Sequence, residues 1–337
     1  MAKITLVNDK SSLPKYRQIV QSITDSIERG ILKKGQQLPS INKMAAINGT
    51  AKETIAKAYS ELREKGTIIA MHGKGFYIAN TKIKVKLNIF VLFDTFTAYK
   101  EVLYDALRNA LPPDTRFSIF FHHYNAQHFA ELIKSNLGNY NFYVVMPHFD
   151  TDVSQALGLI PNNKVLLLDK DALGIKGDYA SVYQDFENDI LNCLQDGVSL
   201  IKKYKKLHLV VGEKYFQYVP ADIIKGFKLF LKMEHIKGSV MDNLDVKSLK
   251  AGEAYLVFSD TDMVRFIKHC EIMNWKPGKD IGLISYDDTP IKEILLGGVT
   301  VITTDFEQMG KTAGELIVGK RMERIANPAR MIKRKTL

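Results

Sequence analysis

The sequence predicts a multidomain chain in which a small, mainly α-helical module with a β hairpin precedes a larger α/β domain built on parallel strands. Its 337 residues exceed what one compact domain usually uses. Charge is divided unevenly: residues 1–86 hold 16 Lys and Arg against 6 Asp and Glu, while residues 87–337 hold 31 of each, so the whole formal +10 lies in the first quarter. Hydrophobic spacing also changes near residue 87, from helical periodicity to apolar runs that alternate with amphipathic stretches. The expected boundaries are 1–80 for the module, 81–86 for a short basic linker and 87–337 for the large domain.

In the module, Tyr16, Ile19, Val20, Ile23 and Ile27 make one apolar stripe on a helix that starts near Pro14 and stops at Gly30. Leu38-Pro39-Ser40 opens a second, short helix carrying Ile41, Met44 and Ala45, and Asn48-Gly49 suits a left-handed turn at its end. Thr50 and Glu53 have the spacing of a capping box, which predicts a third helix from Thr50 with Ile55, Ala58, Tyr59 and Leu62 on its inner face. Thr67 to Met71 and Phe76 to Ile78 are β-type runs around His72-Gly73-Lys74-Gly75, a hairpin with a basic tip. Two short helices joined by a tight turn and followed by such a hairpin read as a winged helix-turn-helix, whose second short helix enters the major groove. A basic module on a neutral body is the charge distribution that phosphate binding requires.

Gly35-Gln-Gln-Leu-Pro-Ser40, Thr54-Ile55, Ala58-Tyr59 with Leu62, Gly66 and the wing at His72 to Gly75 resemble, in order and spacing, the GntR family of bacterial regulators over about residues 13–78. The resemblance implies contacts to double-stranded operator DNA from Ser40, Lys52, Thr54, His72, Gly73 and Lys74, with Lys43 and Lys57 as neighbours that reach phosphate. For Lys57 a solvated helix face is the competing reading. Two positions depart from the family, which commonly has arginine where this chain has Asn42 and often where it has Ala56. Lysine and arginine are not interchangeable in bidentate guanine contact, so the absence of arginine at 42 removes a specific reader and base readout here rests on Lys52 and short polar groups.

In the large domain, candidate strands are 87–93, 117–121, 142–146, 165–168, 207–211, 254–258, 281–285 and 299–303, most followed by a stretch of helix length. Continuous Val, Leu and Ile runs predict parallel strands buried on both faces. Ligands in such sheets bind beyond the carboxyl ends of the strands. There the sequence places Asp94, Thr95 and Phe96, then Pro147, His148, Phe149 and Asp150, then Asp169, Ser259 to Asp262, and Tyr286 to Asp288. Carboxylates beside aromatic faces suit a hydroxyl-rich ligand.

Val182-Tyr-Gln-Asp185, Gly226-Phe227, Ile281 to Asp288, Thr303-Thr304 through Met309-Gly310, Ala313 and Leu316, and a closing strand at Met331 to Thr336 resemble the sugar-responsive domain of LacI-type repressors. That domain is itself similar to periplasmic sugar-binding proteins. The resemblance implies a two-lobed, periplasmic-binding-protein-like domain with parallel sheets that binds a small-molecule effector and dimerises. It points to Phe96, His148, Asp150, Asp185, Thr261 and Asp287 as ligand-binding residues; the competing reading for each is a helix cap or turn. Where that family often has an arginine clasp this chain has Ile223, which leaves Lys170, Lys214 and Lys225 as replacements.

Together the two resemblances imply an arabinose-repressor-like architecture: a homodimeric, DNA-binding transcriptional repressor controlled by a monosaccharide such as arabinose or fucose. An enzyme built on Asp260, Asp262, Asp287 and Asp288, as a metal cage or acid/base pair, is the alternative, with a carbohydrate-active enzyme or a sugar-binding protein fused to a DNA-binding module as its form. It is disfavoured because no nucleophile elbow, phosphate-binding glycine loop or zinc pattern is present, and His122, His123 and His128 have no ligand-like spacing. No cofactor or metal is expected. Cys193 and Cys270 fit no disulfide or metal spacing and read as buried thiols. Residues 1–10 lack a signal-peptide pattern and no apolar run reaches membrane-spanning length, so a cytoplasmic protein without membrane contact is expected.

Overall fold

The computed structural model describes residues 7, 13–80, 87–172, 174–212 and 218–337. The expected linker 81–86 and the candidate clasp Lys214 lie outside the described residues. The chain divides into two compact units, Met1–Lys86 with Lys134–Tyr140, and Leu87–Ile133 with Asn141–Leu337.

In the first unit, α1 (Lys15–Glu28) buries Ile19, Val20, Ile23 and Ile27 as its spacing requires. Next, α2 (Ile41–Asn48) starts on the Ser40 hydroxyl, which accepts from the Lys43 amide, and ends on Gly49 at φ 58°. The third helix, α3 (Lys52–Glu64), buries Ile55, Ala58, Tyr59 and Leu62, but it is capped by Ala51 with no side-chain bond. The expected capping box at Thr50 is therefore corrected. The helix begins too late for that hydroxyl, and Thr50 Oγ1 is buried without a hydrogen-bond partner among the described residues. The wing is an antiparallel pair, β1 (Ile68–Met71) and β2 (Gly75–Ile78). These three helices and the wing close over one core that includes Met44, Ile55, Leu62 and Ile78.

The second unit has two lobes. The first lobe begins with β3 (Asn88–Phe93), α4 (Ala98–Asn109), β4 (Arg116–Phe121), α5 (Ala126–Asn136), β5 (Phe142–Val145), α6 (Ser154–Leu157), β6 (Val165–Asp169) and β7 (Ala180–Tyr183). The second contains α7 (Phe186–Asp196), α8 (Val198–Ile201), β8 (Leu207–Val210), α9 (Ala221–Met233), β9 (Gly238–Met241), β10 (Ala254–Val257), α10 (Asp260–Met273), β11 (Gly282–Tyr286), α11 (Pro290–Ile294) and β12 (Thr300–Thr304). The chain then returns through α12 (Phe306–Gly319) and β13 (Arg324–Ala326) to the first lobe and ends with β14 (Ala329–Ile332) in the second. The first sheet, in order β13-β7-β6-β5-β3-β4, is parallel throughout. The second, β14-β12-β11-β10-β8-β9, is parallel except for the β12–β14 pair.

The eight expected strands are present to within a residue at either end, and three further ones, β7, β9 and β13, have only three or four residues each. The closing strand falls at Ala329–Ile332 rather than Met331 to Thr336. Two motif glycines have a packing reason. A Cβ on Gly226 of α9 would lie 2.2 Å from the Glu187 carbonyl of α7, and one on Gly310 of α12 would lie 2.4 Å from the Leu103 carbonyl of α4.

The chain passes between lobes at residues 184–185, 305 and 327–328, and Asn327 joins all three passages. Its amide nitrogen donates to Tyr183 O at 2.7 Å, its Nδ2 donates to Thr304 Oγ1 at 2.6 Å and Asp305 O at 3.1 Å, and its carbonyl accepts from Thr304 Oγ1 at 2.9 Å. Replacing a buried hydrogen-bonded side chain strands its partners. Asn327→Ala is expected to lower stability by about 2–3 kcal/mol in urea unfolding, where truncating an exposed polar residue changes it by less than about 0.5 kcal/mol.

Candidate functional site

Between the lobes of the second unit lies a cleft of about 430 Å³, its open mouth included. Its walls come from the carboxyl ends of strands and the first turns of the helices that follow, as expected for this class of sheet. Tyr99 stacks on Phe306 at 4.3 Å between ring centroids, and Phe258 on Tyr286 at 4.6 Å. Tyr218 lies over His148, and aromatic rings from both lobes line the cleft.

Behind those rings runs a buried line of charge. Lys100 Nζ is paired with Asp94, whose other oxygen lies 2.7 Å from His148 Nδ1, and His148 Nε2 lies 3.1 Å from Asp169 Oδ2. Asp169 also accepts from Gln184 Nε2 at 2.6 Å and from the Tyr99 hydroxyl at 3.4 Å. Burial raises the cost of ionising Asp94, but His148 and Lys100 outweigh it and hold the carboxyl well below its ordinary range. Burial pulls His148 down, and the carboxylates of Asp94 and Asp169 more than reverse this, so its pKa is raised and the charged ring is favoured.

Asp287 stands apart from this line. It ends the β11 segment at φ 58°, a left-handed conformation that Asp169 shares at φ 68° at the end of β6. Such backbone is uncommon outside glycine and persists where surrounding structure holds it. Lys292, itself buried, supplies that support by donating to the carbonyls of Tyr286 and Asp287, both at 2.9 Å. No hydrogen bond from a described residue reaches the Asp287 carboxylate. Burial pushes its pKa up to about 7, with Lys292 opposing and Asp169 adding. Three other buried polar atoms of lining residues also lack hydrogen-bond partners among the described residues: Thr97 Oγ1, Gln184 Oε1 and the Tyr286 hydroxyl.

Of the six ligand residues expected from sequence, His148 and Asp287 line the cleft. The other four do not. Phe96 is 75% exposed and packs edge-on against Phe121. Asp150, also exposed, accepts from the Tyr218 hydroxyl at 2.6 Å. Asp185 caps α7 by accepting from the Asn188 amide, and Thr261 is exposed in the first turn of α10. Among the candidate clasps, Lys225 is exposed and paired with Asp222, while Lys170 donates to Phe149 O at 2.7 Å and to the Tyr218 hydroxyl. Ile223 does line the cleft, as an apolar face. Sequence reasoning passed over Lys100, Tyr99, Gln184 and Phe306, and named Asp94, Asp169 and Tyr286 only as strand-end residues. Three of the four acidic residues of the enzyme reading have separate partners, Asp260 with Lys292, Asp262 with Arg265 and Asp288 with Arg334, while Asp287 faces the cleft.

On the first unit, Ser40, Lys43, Lys52, Lys57, His72, Gly73 and Lys74 are exposed and Thr54 is half-buried. The segments that carry them are tied together. Tyr59 of α3 donates to Pro39 O at 2.8 Å, Gln37 Nε2 donates to Lys74 O at 2.6 Å, and the Leu38 amide donates to Phe76 O at 2.8 Å. Lys57 Nζ sits 4.2 Å from the Tyr16 ring centroid, which gives it a partner within the module.

Residues 15–78 match the family model of the bacterial regulatory proteins, gntR family. The N-terminal module is a GntR-type helix-turn-helix domain. Over 73 residues it is 38% identical to the HTH-type transcriptional repressor YtrA of Bacillus subtilis, a match that covers 22% of this chain and 56% of that protein. The chain thus spans little more than half the length of that curated relative. The second unit shares the two-lobed fold of the Lac repressor core. A dimeric Lac repressor with a C-terminal deletion superposes with a TM-score of 0.62 at 17% identity, covering 74% of this chain and 98% of that one. A periplasmic binding protein/LacI transcriptional regulator from Alkaliphilus metalliredigens QYMF, complexed with D-xylulofuranose, superposes with a TM-score of 0.58 at 12% identity over 74% of this chain and 98% of its own.

The Asp287 carboxyl has a pH signature. Because its folded pKa is raised, the unfolded chain loses this proton first as pH rises, and the folded state is penalised progressively from about pH 4 to about pH 7 and constantly above that. Asp287→Asn should therefore stabilise the unliganded protein at pH 8, by at most about 4 kcal/mol at 1.36 kcal/mol per unit, with the gain fading as pH falls toward 4. Paired denaturation curves at pH 8, 6 and 4.5 measure this directly, and a gain that is constant with pH would contradict it.

Proposed function

We propose that this chain is a cytoplasmic, one-component transcriptional repressor that binds a palindromic operator as a homodimer and releases it when a monosaccharide occupies the cleft between its lobes. A cleft that offers aromatic faces and unpartnered hydroxyl, amide and carboxylate groups, on the same chain as a GntR domain, is the observation that carries this reading. Stacked rings cover the apolar C–H face of a sugar while Asp287, Gln184 and Tyr286 receive its hydroxyls. The sugar complex of the structurally similar regulator supports the same class of ligand, and a pentose or deoxyhexose such as arabinose or fucose is the proposed size.

Ser40, Lys43, Lys52, Thr54, Lys57, His72, Gly73 and Lys74 form the proposed DNA surface. Phosphate contacts position the module, and base edges are reached from the start of α3. Two half-sites give a dimer both affinity and register, so a ligand that alters how protomers pair alters operator affinity. A coupling of about 1–3 kcal/mol, or roughly 5- to 150-fold, is sufficient.

Two measurements test this. On a duplex selected from a random pool by the full-length chain, Lys52→Ala and Lys74→Ala should each weaken binding and reduce the salt slope by about 1. Unchanged affinity and slope would remove the DNA surface. In a thermal-shift panel of monosaccharides, one should add stability, about 2.7 kcal/mol at 100 times its Kd, and the same sugar should lower DNA affinity. A panel in which every monosaccharide is silent would overturn the effector reading and leave the DNA reading in place.

A further inference from the structure

We infer that the cleft takes an uncharged, unphosphorylated sugar and rejects the phosphate ester of that same sugar. This deepens the sugar reading above and rests on it. The inference comes from how the site has disposed of its positive charge. Among the described residues lining the cleft, Lys100 and His148 are the cations, and both are consumed by the protein's own carboxylates. Lys100 and Asp94 form a pair with side chains 1% and 2% exposed, and His148 lies between Asp94 and Asp169. Beyond the lining, Lys292 is committed to two carbonyls and to Asp260 at 3.1 Å, and Lys170 to Phe149 O and the Tyr218 hydroxyl. No arginine lines the cleft among the described residues, and Ile223 presents an apolar side chain.

Helix N-termini are the other common receptor for phosphate. Phe186 and Phe306, the first residues of α7 and α12, line the cleft, but both helices are already capped by carboxylates. Asp185 accepts from the Asn188 amide, and Asp305 accepts from the Gln308 amide at 2.8 Å. Two further helices start at the cleft, α4 at Thr97 and α9 at Pro220; neither has a side-chain cap, and each carries one acidic residue in its first turn, Glu101 and Asp222, against its positive end.

What remains unpaired is mostly acceptor or hydroxyl. Among the described residues, Gln184 turns its Nε2 to Asp169 and leaves Oε1 buried without a partner, the Thr97 and Tyr286 hydroxyls likewise have none, and the Asp287 carboxylate receives no hydrogen bond. Acceptors of this kind are satisfied by the O–H donors of a sugar. A phosphate dianion brings acceptors only and places two negative charges beside Asp287 and Asp169 in a site of low dielectric, where like charges repel strongly.

Isothermal titration of the full-length chain with matched pairs tests this: D-galactose with D-galactose 1-phosphate, D-glucose with D-glucose 6-phosphate, and L-arabinose and L-fucose each with its 1-phosphate. The expected result is that at least one free sugar binds and its ester is weaker by on the order of 100-fold or more. An ester that equals or exceeds its free sugar overturns the inference while sustaining the sugar reading. Silence from both members of every pair overturns the sugar reading and this inference with it. Asp287→Asn supplies a second readout, since removing that charge should narrow the gap between sugar and ester by on the order of tenfold. A gap that does not change would remove Asp287 as the discriminating group.

Discussion

The second unit depends on a single constraint: its chain passes three times between two sheets, and the three passages must stay in register. Asn327 meets that constraint by bonding to Tyr183, Thr304 and Asp305, which lie on or beside the other two passages. Asparagine is suited to this because one side chain and its own backbone supply donors and an acceptor at once. Buried at 6% exposure, the residue works where water competes little for those bonds. The helices that start at the passages, α7 and α12, carry their own Asp caps, so each helix start is fixed beside the connection. Three short passages between two lobes are the geometry of a hinge.

Within the cleft, the dominant electrostatic fact is that four charged groups alternate in sign from Lys100 through Asp94 and His148 to Asp169. Desolvating any one alone would be prohibitive, and each is tolerated because its neighbours are opposite and close. Such a line contributes less to stability than its Coulomb energy implies, since desolvation offsets most of it. Its larger effect is positional. It fixes the His148 ring by both nitrogens, and the ring carries the Tyr218 stack above it. Asp287 follows the opposite logic. It has Lys292 behind its backbone rather than beside its carboxylate, and burial pushes its pKa up to about 7.

Much of this fold is legible in the sequence because its long elements obey strong periodicity. The stripe from Ile19 to Ile27, the left-handed end at Gly49 and the apolar runs of β3, β5, β6 and β10 each follow from spacing and side-chain type. β7, β9 and β13 escape because three or four residues cannot display a period, and their strand character comes from a neighbour in the sheet. Thr50 misleads for a related reason: the box pattern is local, while the start of α3 is set by packing of Ile55 and Tyr59. At the cleft, the rule that ligands meet strand ends brings out His148 and Asp287. It also selects Asp185, whose oxygens serve a helix start, and Phe96, whose ring turns outward. Lys100, Tyr99 and Phe306 lie inside helices, where no sequence pattern separates a cleft-facing turn from a core-facing one. Ile223 is informative in the reverse sense, since it occupies a lining position with a side chain that offers no charge.

The charge distribution of the two units bears on how they are coupled in the proposed regulator. The GntR domain belongs to the segment that holds the whole formal surplus of positive charge, and the rest of the chain is balanced. Among the described residues lining the cleft, the cations Lys100 and His148 are matched by Asp94 and Asp169, and Asp287 is left over. An uncharged ligand bound there leaves the net charge unchanged and does not weaken DNA binding by electrostatic repulsion. Its influence on the operator must then be geometric, carried by closure of the lobes about the passages that Asn327 joins. In such a system, salt sets how tightly the module holds phosphate, and the ligand sets how the headpieces are spaced. These act on different terms of the binding free energy, so effector response and salt response are separable properties of one chain.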